Sequence, residues 1–119
     1  MVTHKDLDIW KIGIELVAEV YRATGEFPRE EVYGITSQLR RAAVSIPSNI
    51  AEGAARTSRK EFLQYLYIAL GSLAELETQI VISERLGFLA QDAAFSETIG
   101  QLRRKQLNFI KYLKGKGNP

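Results

Sequence analysis

The residue types that usually carry enzyme chemistry are scarce in this chain. It contains no cysteine and a single histidine, His4, so a disulfide framework, a thiolate nucleophile and a zinc–thiolate site are excluded. A di-iron site in a helical protein needs Glu-x-x-His motifs, and the sequence contains none. A Gly-x-x-x-x-Gly-Lys phosphate loop is also missing. The sequence therefore predicts a protein without enzymatic activity, metal or cofactor, although two glutamates acting as acid and base are left open.

Basic side chains cluster near the end of the chain. The formal net charge is only +2 at pH 7, but no acidic residue follows Glu97. The cations predicted to contact RNA or DNA are Arg103, Arg104, Lys105, Lys111 and Lys114. Several lysines and arginines on one helix can neutralise several phosphates in parallel. The alternative is that they complement the dipole at a helix C-terminus and keep the surface soluble.

A second group of charged and polar residues lies in the middle of the chain. Its members are Arg40, Arg41, Asn49, Glu52, Glu75 and Glu77. If the segments that carry them form a helical hairpin, Arg41 lies within a turn of Glu75, and Arg40 lies near Glu75 or Glu77. Glu75 is then partly buried, and buried charges are normally paired. We therefore predict a structural polar network, with a subunit interface or a ligand or nucleic-acid contact as alternatives.

Four helices within one domain position these residues. Apolar side chains recur at helical spacing, and no alternating strand pattern occurs. The predicted helices span about 7–24, 28–54, 58–86 and 92–114 of a single domain, 1–119. The fold class is therefore all-α, a bundle of four helices.

Local signals mark where these helices begin and end. Gly25 is placed to end the first helix in a left-handed conformation, and Pro28 suits the first turn of the second. Ser58 and Glu61 form a predicted capping box at the start of the third helix. Pro47 lies inside the second helix and predicts a kink, because proline lacks the N–H that continues the hydrogen-bond ladder.

The predicted hairpin gives the residues around the kink specific neighbours. Asn49 and Glu52 either satisfy carbonyl groups freed by Pro47 or form a polar patch that faces a partner. Ala42 lies opposite Gly71, where two small residues allow the two helices to approach closely.

The third helix is apolar around most of its circumference. One apolar stripe follows alternating spacings of four and three, and two further stripes lie beside it. The residues of the first stripe are Phe62, Leu66, Ala69, Leu73, Leu76 and Ile80. A surface helix of a monomer needs an apolar face only a little over 100° wide. No helix of a four-helix bundle is fully central, so we predict that copies of the chain associate and cover the excess.

Neither a secretion signal nor a membrane span is expected. The first residues, Met1 to Asp6, are polar and lack an apolar signal-peptide region. No uncharged apolar run reaches the roughly 18 residues that a membrane span requires. The sequence predicts a cytoplasmic protein that does not enter a membrane.

The segment Ser37 to Gly53, which reads SQLRRAAVSIPSNIAEG, resembles the four-helix bundle family encoded in intervening sequences of the 23S ribosomal RNA gene. The likeness continues through the third helix and includes the opening Asp6 to Trp10 and Phe27-Pro28, so it covers nearly the whole chain. It implies an antiparallel up-down bundle that assembles into a homopentameric ring. The family is also similar to an accessory protein of diversity-generating retroelements that binds nucleic acid and a reverse transcriptase.

Two hypotheses for the function follow. In the first, the chain is a non-enzymatic, homo-oligomeric accessory or scaffold protein associated with ribosomal RNA or a retroelement. In the second, it is a protein–protein interaction module that binds another polypeptide, such as a reverse transcriptase, and never contacts nucleic acid.

Overall fold

Apolar residues at helical spacing produce four α-helices. The structure is a computed structural model that describes residues 3–91 and 93–115. Two short 3-10 turns, His4–Asp6 and Arg29–Glu31, accompany the helices, and the described residues contain no strand. The helices are α1 Asp8–Thr24, α2 Ile35–Ala54, α3 Arg59–Arg85 and α4 Ala93–Gly115. The predicted all-α class with four helices is confirmed. Residue 92, the predicted start of the last helix, lies outside the described residues, as do residues 1–2 and 116–119.

The ends of α3 are fixed by local hydrogen bonds. The Glu61 N–H donates to Ser58 Oγ, as expected for a cap, but Glu61 Oε1 accepts from the Ser58 hydroxyl instead of from its backbone N–H. At the other end, the Phe88 N–H donates to the Ser83 carbonyl and Gly87 has a φ of 81°. This is the left-handed helix ending that favours glycine. α1 ends at Thr24 with Gly25 as its C-cap, as predicted, but Gly25 has a right-handed φ of −61°, so the left-handed conformation predicted there is wrong.

The start of α2 differs from the prediction. The prediction began this helix at about residue 28, whereas α2 begins at Ile35. Pro28 has an extended ψ of 142° and precedes the turn Arg29–Glu31. Gly34 then has φ −110° and ψ −120°, which is not a helical conformation. A helix cannot pass through that geometry, so the segment forms a separate turn before α2.

Pro47 lies inside α2 without ending it. The helix is continuous from Ile35 to Ala54, so the proline does not break it. Pro47 is buried against Gly13 of α1, where an added Cβ would lie 3.4 Å from the proline Cβ. A methyl group at position 13 would therefore lie at ordinary van der Waals distance from the proline ring.

Each helix contacts two neighbours around one core. α1 lies beside α2 and α4, and α3 lies beside the same two helices, so over their described residues α1 is diagonal to α3 and α2 is diagonal to α4. The largest aliphatic side chains that are almost fully buried are Leu16, Leu39, Ile46, Ile50, Leu66, Leu73, Leu76 and Leu102. Burying one such side chain is worth about 1.5–3 kcal/mol, so this shared core is the main source of stability.

The contact between α2 and α3 has a different register from the predicted one. Gln38 lies against Gln79, with 3.5 Å between the amide nitrogen and oxygen, and Ser45 Oγ lies 2.8 Å from Ser72 Oγ. Gly71 is exposed, and a Cβ built on it would have no described neighbour within 4 Å. The predicted close approach at Gly71 is therefore wrong. The close approach occurs instead at Gly53, which is buried against Phe62 and Tyr65.

By length and composition alone, α3 could also cross a membrane. This is weak evidence, because the core helix of a soluble protein meets the same criteria. Here α3 packs against α2 and α4 with one face in the core.

Replacing Gly53 with alanine should destabilise the fold. The new Cβ would lie 2.7 Å from the Tyr65 Cβ and 2.9 Å from the Phe62 Cδ1. Overpacking of this kind costs about 1–3 kcal/mol, which exceeds the roughly 1 kcal/mol that alanine gains over glycine in a helix. The control is Gly100→Ala, whose Cβ would meet only the flexible end of Arg104 at 3.5 Å. Urea unfolding at one protein concentration should show G53A below and G100A at or above the wild type. Equal effects would contradict the close approach.

Candidate nucleic-acid and protein interface

Two of the five predicted phosphate-binding cations form ion pairs within the chain. Arg103 on α4 pairs with Glu77 on α3. Lys105 pairs with Asp8 at the start of α1, with 3.4 Å between Nζ and Oδ2. Exposed pairs of this kind contribute about 0–1 kcal/mol to stability. Their main effect here is to neutralise part of the local positive charge of α4.

The other three cations are available to a partner. Arg104 and Lys111 are exposed and have no hydrogen bond or ion pair within residues 3–91 and 93–115. They are seven residues apart and therefore share one face of α4. Lys114 places its Nζ 5.3 Å from the centre of the Tyr67 ring. A lysine beside an exposed aromatic ring, next to two unpaired cations, can bind phosphates and stack on a base.

Arg40 is used within the fold and does not approach Glu75 or Glu77. Its Nε donates to Thr24 Oγ1 over 2.8 Å, and its guanidinium lies 4.4 Å from the centre of the Tyr21 ring. The Thr24 hydroxyl donates in turn to the Val20 carbonyl over 2.7 Å. The predicted position of Arg40 beside the glutamates is wrong. Arg40 instead ties α2 to the end of α1.

Arg41 and Glu75 lie close together without bonding. Both line a cavity of about 350 Å³ between α2 and α3. Glu75 is exposed, contrary to the expectation of partial burial, and its Oε2 accepts from Gln79 Nε2 over 3.2 Å. Arg41 is also exposed and has no hydrogen bond or ion pair to any described residue. The predicted neighbourhood is present, but a direct contact is not.

Asn49 and Glu52 join separate local contacts on α2. Asn49 Nδ2 donates to the Ser45 carbonyl over 2.7 Å and to Ser45 Oγ over 2.9 Å. Proline at position 47 frees the carbonyl four residues earlier, that of residue 43, so Asn49 does not bond the freed group. Glu52 pairs with Arg56 over 3.1 Å, which raises the pKa of the Arg56 guanidinium above its ordinary value. Among the described residues, no bond joins any two of the six predicted network members.

The aromatic partners of the cations were not found by sequence reasoning. Tyr21, Tyr65 and Tyr67 each lie beside a cation, Arg40, Arg56 and Lys114 respectively. The pairs Tyr21–Arg40 and Tyr67–Lys114 join different helices. A sequence pattern does not reveal which ring faces which cation. These two pairs therefore become visible only when the packing of the helices is known.

These features define a small all-helical protein with a cationic, partly aromatic surface. In residues 3–91 and 93–115, no group of three histidine, cysteine, aspartate or glutamate side chains could hold a metal ion. The profile of the 23S rRNA-intervening sequence protein family matches residues 5–110. The chain therefore belongs to this family, which confirms the resemblance seen in the sequence. No curated protein matches the chain.

Replacing Asn49 with aspartate should weaken the fold, because the variant loses the N–H groups that bond Ser45 and places a carboxylate against a carbonyl oxygen. Leaving a partly buried acceptor without its donor costs about 1–3 kcal/mol. The matched control is Asn108→Asp on the exposed face of α4, where a surface change should stay within about 0.5 kcal/mol. Thermal and urea unfolding provide the measurement. Similar losses in both variants would mean that the bonds of Asn49 contribute nothing specific.

Proposed function

We propose that this chain is a non-enzymatic, homo-oligomeric accessory or scaffold protein of the cytoplasm that associates with RNA or DNA. In this proposal each subunit is an antiparallel up-down four-helix bundle, kinked at Pro47, and the subunits close into a ring of five. The contacts Gln38–Gln79 and Ser45–Ser72 support the antiparallel order of α2 and α3, because the partner's number falls as the residue number rises. The ring of five follows from the family resemblance.

Self-association is supported by the outer surface of α3. Its large apolar side chains on that surface are Tyr67, Ile68, Val81 and Ile82, which are 42–52% exposed. The inner face of the same helix is fully buried at Leu66, Leu73 and Leu76. A helix that is apolar on both sides needs a second covering surface. Another copy of the chain is the partner that is always present at equal concentration.

Nucleic-acid association rests on one observation, the unpaired Arg104 and Lys111 on a single face of α4. Asn108 lies between them in sequence and is also exposed, so the face offers two charges and an amide. Contacts of this kind go to phosphate oxygens and carry little sequence specificity. A ring repeats the face in every subunit, and linked weak contacts bind far more tightly than one alone.

The protein-binding alternative is favoured by different features of α4. Arg103 and Lys105 are already paired within the chain. Leu107 is 47% exposed and Tyr112 is 55% exposed, so apolar and aromatic groups accompany the remaining charges. Tyrosine and arginine are both enriched on surfaces that bind another polypeptide.

Self-association is tested by the mass of the purified wild-type protein. Light scattering coupled to size exclusion should give a multiple of the 13.4 kDa chain mass, with five copies as the expected number. Dilution should not release monomer until the concentration falls below the dissociation constant. A stable monomer at all concentrations would overturn the self-association proposal.

Nucleic-acid binding is tested by the double variant Arg104→Gln and Lys111→Gln. Fluorescence anisotropy with a labelled RNA should show weaker binding, and the slope of log affinity against log salt should fall by ~0.7–0.9 for each lost phosphate contact. The matched control is Arg59→Gln and Lys60→Gln, which removes two exposed cations at the start of α3. No RNA or DNA binding at low salt, or an equal loss in both variants, would favour the protein-binding alternative.

A further inference from the structure

Exposed apolar side chains lie on two different surfaces of the chain. One surface is the outer side of α3, where Ile68 and Ile82 are 52% and 42% exposed. The other borders α1 and α2, where Val32, Tyr33 and Val44 are 48%, 95% and 39% exposed. A closed ring needs two different surfaces that fit each other, because each subunit contacts its neighbours head to tail. The chain carries two such patches, and they adjoin along the groove between α2 and α3, where Arg41 and Glu75 of one chain line a common cavity without bonding.

The surface beside α1 and α2 contains a cavity with an unused positive charge. The cavity has a volume of about 550 Å³, and Val32, Tyr33 and Val44 line it together with Arg40 and Arg41. No aspartate or glutamate of the described chain lines it. Since Arg40 is held by Thr24 and Tyr21, Arg41 is the cation of this cavity that has no partner among the described residues. A segment that carries both a carboxylate and apolar side chains would match this cavity in charge and polarity.

The outer surface of α3 presents that combination. Ile68, Glu75 and Ile82 follow one another at intervals of seven residues, which is about 10.5 Å along a helix. They therefore form a ridge in which one exposed carboxylate stands between two half-exposed isoleucines. Within the described chain Glu75 is bonded only through Oε2 to Gln79, so its other oxygen is available.

We propose that Glu75 of one copy binds Arg41 of the next copy, with Ile68 and Ile82 packing on the apolar rim of the cavity. This inference rests on the proposed self-association and states which surfaces meet. The apolar contact excludes water from the ion pair, which strengthens the attraction between the two charges. A charged pair at the centre of an apolar contact also fixes the register of the two helices.

The two charge reversals Arg41→Glu and Glu75→Arg test the contact. Each variant alone should be shifted toward monomer, with a dissociation constant raised about 30-fold or more, because two like charges then meet at every interface. Mixing the two variants should restore association, because positions 41 and 75 then carry opposite charges wherever the two kinds of chain meet. Any mass above the monomer counts as restoration, since strict alternation leaves one like-charge contact in a ring of five.

Matched controls separate this contact from a general effect of charge. Arg59→Glu and Glu15→Arg reverse one exposed charge each, outside both the cavity and the ridge. Both should keep the wild-type mass. Circular dichroism should show wild-type helix content for all four variants, since Arg41 and Glu75 are exposed. Should a reversal unfold the chain, Arg41→Gln and Glu75→Gln replace it, and their effects on association should be non-additive.

The outcomes of these experiments distinguish the proposed Arg41–Glu75 contact from the proposed self-association on which it rests. A monomeric wild type overturns the self-association itself. An oligomeric wild type whose mass survives both reversals overturns only the Arg41–Glu75 contact. If the mixture stays monomeric while one chain that carries both reversals associates, the pair forms within a single chain, and the inference is wrong.

Discussion

The surplus of apolar surface on α3 is the constraint on which the rest of the structure depends. One side of this helix packs Leu66, Leu73 and Leu76 into the core that all four helices share. The opposite side leaves Ile68 and Ile82 half exposed, because α2 and α4 cover only the flanks of the helix. Exposed apolar surface of this extent costs free energy in water unless another surface covers it. The helix that organises the fold thus also leaves apolar surface exposed to water, and this surface is the basis of the proposed self-association.

The adjacent residues Arg40 and Arg41 of α2 differ in their surroundings: Arg40 bonds to another helix of the chain, and Arg41 is exposed to solvent. Neighbouring residues on an α-helix point about 100° apart. Arg40 consequently faces α1, where Thr24 and Tyr21 hold it. Arg41 faces outward without a bonded partner in the described chain. Arg40 therefore adds to the stability of the fold, whereas Arg41 leaves its charge at the surface.

The charge of α4 is reduced by the same packing that builds the core. Because α4 lies between α1 and α3, Asp8 and Glu77 are within reach of Lys105 and Arg103. Positive charge is left mainly on the outward face, which agrees with the modest net charge of +2. In the proposed assembly Arg104 and Lys111 would be repeated in every copy, and separate weak contacts would then act together.

Local patterns in the sequence were enough to predict the four helices, the serine cap at Ser58 and the excess of apolar residues on α3, because these features depend on residues only a few positions apart. They failed at Gly34, whose non-helical conformation precedes the start of α2, and at Gly53, which takes the close approach expected at Gly71. The partner of each charged side chain was decided by the tertiary structure alone. Arg40 and Thr24 are 16 residues apart, Arg103 and Glu77 are 26 apart, and Lys105 and Asp8 are 97 apart. Only the packing of the helices brings such distant residues within bonding distance.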